Sequence, residues 1–114
     1  ARARELLPLL LSRGGESFSV LDTAATVHLR TGQYQTAFEH MKKALALVRE
    51  GDYASDEMYL NAAEIDFRLE RYREARLNLD VVRRNTRRST AVEERRRTLS
   101  AAIDGKSPAP RRTD

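Results

Sequence analysis

The chain has 114 residues, 40% apolar and 33% charged, with a formal net charge of +4. That size allows one domain, burying roughly 65% of its unfolded surface when compact, and the composition is that of a soluble, helix-prone chain, with cytoplasm and periplasm left open as its compartment. The absence of cysteine excludes disulfides, thiolate metal sites and a cysteine nucleophile, and no apolar run approaches the ~20 residues of a membrane span.

The first apolar stretch, Leu6 to Leu11, is short and interrupted by Pro8. No small-residue cleavage site follows it, so it does not read as a signal peptide. Residues 18–30 read as a helix, with Leu21, Ala24, Ala25, His28 and Leu29 at three- and four-residue steps and Ser17 placed as its N-cap. Gly32 ends it, because a residue without Cβ enters the left-handed region at little cost. A second helix runs from Tyr34 to Val48 with Ala37, Met41, Ala44, Leu45 and Val48 on one face, and Gly51 and Asp52 mark the next turn.

Ser55 is placed to cap a third helix from Asp56 to Leu69, which presents Tyr59, Ala62, Ala63, Asp66 and Phe67. A fourth, Tyr72 to Arg84, turns Ala75, Leu79 and Val82 inward. Thr90 and Glu93 have the spacing of a capping box, which opens a fifth helix reaching Ile103 and ended by Gly105. From Lys106 onward the chain has little to bury and reads as a disordered tail. No segment has the alternation of a strand, so the class is all-α.

One pattern occurs twice. Gly32, Tyr34 and Ala37 in the first inter-helix turn recur 38 residues later as Glu70, Tyr72 and Ala75, and a leucine precedes each turn. Together with Leu21, Ala24, Ala25, His28, Met41 and Ala44 these residues resemble a tetratricopeptide repeat over 18–51. A divergent second copy over 55–88 carries Tyr59, Ala62, Ala63, Asp66, Leu79 and Val82. Ala25, Ala37 and Ala44 allow two helices to approach closely. Glu70 replaces the turn glycine, Asp66 the family's aromatic, and about four extra residues separate the copies.

The resemblance implies a right-handed superhelical solenoid of antiparallel helix pairs, about five helices in all. Its register places Ala3, Leu7 and Leu10 as if residues 1–15 were the second helix of a truncated preceding repeat, or alternatively an N-terminal cap. Residues 90–104 would then be a C-terminal capping helix and 105–114 a tail. The chain reads as a fragment of a larger repeat protein, bacterial in style from its Arg- and Ala-rich composition. Leu6, Leu7, Leu10 and Leu11 would offer an apolar face for a homodimer.

The family's groove-facing places fall on Ser19, Asp22, Thr23, Thr26, Leu29 and Arg30, then on Glu57, Leu60, Asn61, Glu64, Phe67 and Arg68. The resemblance therefore implies a non-enzymatic scaffold gripping a protein partner, as a peptide or helix, in a concave groove. It does not imply the carboxylate clamp of the chaperone-binding members. Asp22, Thr26 and Asn61 occupy the clamp's places, and an aspartate repels a terminal carboxylate.

Net charge is uneven. Residues 1–82 hold 11 basic and 13 acidic groups, residues 83–114 hold 10 and 4. Arg83, Arg84, Arg87, Arg88, Arg95, Arg96 and Arg97 give an alternative function, polyanion or nucleic-acid binding through phosphate contacts. Against it, no aromatic residue follows Tyr72 to stack a base. His28 and His40 lie on different helices with no triad or metal-ligand spacing around them. His28 reads as packed core and His40 as exposed, and no catalytic set, metal site or cofactor is expected.

Overall fold

The computed structural model describes residues 18–48 and 55–107. They form five helices: α1 (Phe18–Arg30), α2 (Tyr34–Val48), α3 (Asp56–Arg68), α4 (Tyr72–Arg84) and α5 (Thr90–Lys106). No strand occurs among the described residues. The expected helix over 1–15, its leucine dimer face, the Ser17 cap, the Gly51–Asp52 turn and the tail beyond Ser107 lie outside them.

The two helix pairs are closed by the same turn. The Gln33 N–H donates to the His28 carbonyl at 2.8 Å, and the Arg71 N–H to the Asp66 carbonyl at 2.7 Å. Each turn passes through one left-handed residue, Gly32 at φ 78° and Glu70 at φ 60°. This is the geometry in which a residue past the helix end lets the chain satisfy carbonyls the helix leaves open. Glu70 adopts it despite its Cβ, at a cost on the order of 1 kcal/mol.

A side-chain bond repeats alongside. His28 Nδ1 donates to Gln33 Oε1, and Arg71 Nε donates to Asp66 Oδ1 at 3.3 Å. Both span five residues and join equivalent positions of the two repeats. The family's aromatic is thus replaced twice by a polar side chain stapled to its own turn. Asp66 is also held by Asn78 Nδ2 of α4 at 2.9 Å.

Two apolar layers fill the interior. Leu21, Ala25 and Leu29 of α1 meet Ala37, Met41 and Ala44 of α2 and Met58, Ala62 and Ile65 of α3. Leu60 and Ala63, on the other side of α3, meet Ala75, Leu79 and Val82 of α4 and Leu99 and Ile103 of α5. The alanines are fully buried at both contacts, which brings the backbones close.

Ser55 caps α3 by accepting the Met58 N–H at 3.2 Å. The expected Thr90–Glu93 capping box does not form. Ser89 is the N-cap, its hydroxyl accepting the Val92 N–H at 3.2 Å, while Glu93 turns its carboxylate to three arginines. Nor does Gly105 end the last helix, which continues through Lys106. Glycine weakens a helix interior without breaking it, and the Ser107 N–H still finds the Ile103 carbonyl at 2.7 Å.

Candidate functional site

Three helices, α1, α3 and α5, share one face, and a row of polar bonds crosses it. Thr26 donates its hydroxyl proton to the Asp22 carbonyl at 2.9 Å and accepts from Asn61 Nδ2 at 3.3 Å. Asn61 Oδ1 in turn accepts from Arg95 Nη2 at 2.8 Å. Arg95 also reaches Glu64 at 2.9 Å, and Glu64 receives Arg30 at 3.5 Å. The pairs Thr26–Asn61 and Arg30–Glu64 lie 35 and 34 residues apart, so α1 and α3 run parallel. This register is about one helical turn short of the 38-residue sequence repeat, so neighbours across the face are not motif equivalents.

The ends of the face differ in charge. Asp22 and Glu57, also 35 residues apart, meet at the N-terminal end of α1 and α3. Burial, and then the Glu57 charge, push the Asp22 carboxyl above its ordinary 3.8. Asp22 Oδ1 is buried with no hydrogen-bond partner. Neither carboxylate has a basic partner among the described residues. At the other end Arg68 is exposed and lies over the rings of Tyr34 and Phe67, at 5.9 and 5.8 Å.

Leu29 and Leu60 do not line this face as the sequence implied. They are 4% and 1% exposed and belong to the two apolar layers, Leu29 with Leu21 and Ala25 and Leu60 with Ala63. Asn61 is 8% exposed and committed to Thr26 and Arg95. Phe67 is half-buried against Tyr72, so the face is mainly polar. The Ser19 side chain lies outside the described residues, and Thr23 is exposed.

The arginine run is not a free cationic patch. Arg83 and Arg84 pair with Asp80, and Arg88, Arg96 and Arg97 with Glu93. Arg95 turns away to Glu64, leaving, among the described residues, only Arg87 of the seven without an acidic partner. Hydrogen bonds from Arg96, Arg88 and Arg97 hold the Glu93 carboxyl far below the ordinary carboxylate range. Arg88 Nη1 also caps α4, donating at 2.9 Å to the carbonyls of Arg83 and Asn85. The Asp80 and Glu93 pairs with Arg83, Arg84, Arg96 and Arg97 stand at the three- and four-residue spacing at which helix side chains meet, whereas Arg88–Glu93 and Arg95–Glu64 do not and come only from the fold.

His40 is partly buried and not exposed as expected. Its ring stacks on His28 at 5.3 Å, and its Nδ1 has no hydrogen-bond partner. Burial, then His28 and Lys43, push the His40 pKa below its ordinary 6.5 against the pull of Glu39. No group of three or more acidic, histidine or cysteine side chains suited to a metal occurs among the described residues.

On the opposite side α2 and α4 bound a cleft of about 500 Å³ floored by α3. Phe38, Met41, Leu45 and Leu77 give it apolar walls, with Lys42, Arg71 and Glu74 also lining it. Leu77 is 59% exposed, and Val81 one turn further is 42% exposed.

Two stacked helix pairs, closed by matching turns and followed by a fifth helix, are the form expected of a helical repeat. The tetratricopeptide repeat family model matches residues 16–88. The chain belongs to the tetratricopeptide repeat family. No curated protein and no solved structure matches it. Tetratricopeptide repeats generally mediate protein–protein interactions and are typically non-enzymatic scaffolds. No described helix is long and apolar enough to cross a membrane.

Proposed function

We propose that this tetratricopeptide repeat segment is a non-enzymatic interaction module that holds a peptide or helix of a protein partner along the α1–α3–α5 face. The observation that carries this is the row Thr26–Asn61–Arg95–Glu64–Arg30, which fixes side chains from three helices in place before any partner arrives. A preordered polar surface loses little side-chain freedom on binding. Asp22, Thr26, Arg30, Glu57, Asn61, Glu64, Phe67 and Arg68 contribute to this groove, joined by Arg95, while Leu29 and Leu60 support it from beneath.

Dodecapeptides selected from a random displayed library against the immobilised chain provide the test, with affinities read by fluorescence anisotropy. Thr23→Trp places bulk on the α1–α3–α5 face, and Leu77→Asp places charge in the α2–α4 cleft. Loss of binding in Thr23→Trp alone supports the groove. Loss in Leu77→Asp alone assigns binding to the cleft and overturns it, as does failure to select any binder. Unchanged helicity by circular dichroism confirms that both variants fold.

A further inference from the structure

The groove has a polarity that the repeat pattern does not specify. Its N-terminal end carries Asp22 and Glu57, two carboxylates brought together by the 35-residue register, with no cation among the described residues to neutralise them. One oxygen of Asp22 is buried with no hydrogen bond. The centre is internally satisfied, since Glu64 is shared by Arg30 and Arg95 and Asn61 lies between Thr26 and Arg95. At the far end Arg68 is exposed with no acidic partner among the described residues, and the Arg30 side chain remains 56% exposed. Like charges thus gather at each end, and the two ends are of opposite sign.

We propose that the groove takes a peptide segment in one direction only, with a lysine or arginine against Asp22 and Glu57 and an aspartate or glutamate against Arg68 and Arg30. This rests on the groove assignment above. Along α1 the ends are eight residues apart and along α3 eleven, or about 12 and 16 Å at helical rise. An extended peptide covers that distance in about four or five residues, so the segment carries its two opposite charges at that spacing. Complementary charge sets direction and excludes mismatched partners more than it adds affinity. The reversed peptide would put carboxylate on carboxylate and guanidinium on cation. An uncharged segment would leave Asp22 and Glu57 without a counter-ion.

The test uses the selected dodecapeptides and a charge exchange at two exposed positions, Glu57→Arg with Arg68→Glu. The expected result is that selected peptides carry one basic and one acidic residue at the stated spacing. Affinity falls tenfold or more on the exchanged protein and returns when the two peptide charges are also exchanged. Peptides that bind the groove, shown by loss in Thr23→Trp, yet lack the charge pair or ignore the exchange would overturn the proposed direction and leave the groove standing. Binding untouched by Thr23→Trp, or no binder at all, would overturn both. Circular dichroism on the exchanged protein separates lost recognition from lost folding. A misfolded double variant is replaced by Glu57→Gln alone, where a loss confined to peptides with the basic residue supports the direction and no loss overturns it.

Discussion

Arg95 of α5 donates to Asn61 of α3 at 2.8 Å, joining residues 34 positions apart. The bond satisfies a nearly buried amide oxygen and fastens the last helix to the middle one. Arg95→Ala leaves that acceptor unpaired and strips Glu64 of its nearer cation, at a cost of about 1–3 kcal/mol. Arg87→Ala, whose side chain has no acidic partner among the described residues, stays within about 0.5 kcal/mol. Urea unfolding of the two variants compares them directly, and equal stabilities would remove Arg95 from its structural role.

Glu70 is the left-handed residue of the second turn. Glu70→Gly relieves the Cβ conflict and raises stability by about 1 kcal/mol. Gly32→Ala imposes the same conflict on the first turn and lowers stability by a similar amount. No atom of the described residues lies within 4 Å of the added Cβ at Gly32, so backbone conformation sets that cost. Thermal melts of both variants show opposite shifts.

Burial pushes Asp66 up to about 6 from its ordinary 3.8, against Arg71 and Asn78. Between those values the folded chain holds a proton there that the unfolded chain releases. The group's contribution to stability is therefore fully present below pH 3.8 and is lost as pH rises through 6. Asp66→Asn removes this slope while keeping the side chain's shape. Urea midpoints across that window check it, and an unchanged slope would place the titration elsewhere.

His40 acts in the opposite sense. Its pKa is lowered on folding by burial, then by His28 and Lys43. As pH falls through 6.5 the unfolded chain takes up a proton that the folded one resists, so stability declines on acidification. His40→Phe preserves a ring against His28 and abolishes that decline, seen as a flatter dependence of melting temperature on pH.

Leu60 and Leu77 separate core from surface. Leu60→Ala empties space in the second apolar layer and costs about 2–5 kcal/mol, whereas Leu77→Ala stays within about 0.5 kcal/mol. Loss of peptide binding in Leu60→Ala would accordingly track unfolded protein in a chemical denaturation series.

Helix positions and the repeat were legible because alanines and leucines recur at helical steps and because Tyr34–Ala37 and Tyr72–Ala75 share a spacing. The pairing of His28 with Gln33 and of Asp66 with Arg71 was not. Each looked like an isolated departure, and only the closed turn brings side chains five positions apart into contact. The face was half-legible. Motif places located Asp22, Arg30, Glu57 and Glu64, but Leu29 and Leu60 sit in the two apolar layers that the packed helices close over them. Arg95 stood in the sequence as one of a basic run, since nothing local announces a bond to a residue 34 positions earlier.

Helix α3 gives Met58, Ala62 and Ile65 to one apolar layer and Leu60 and Ala63 to the other. It is wetted on neither broad side, so neither layer can melt without stripping one flank of α3. Nearest-neighbour coupling of this kind makes the array unfold as a unit. Amide protons in the middle of α3 should then exchange only through global opening. A break after Arg88 would remove α5 and strip Leu99 and Ile103 from the second apolar layer, uncovering the part of Leu60, Ala63, Leu79 and Val82 that α4 alone does not cover and turning an interior layer into an adhesive edge.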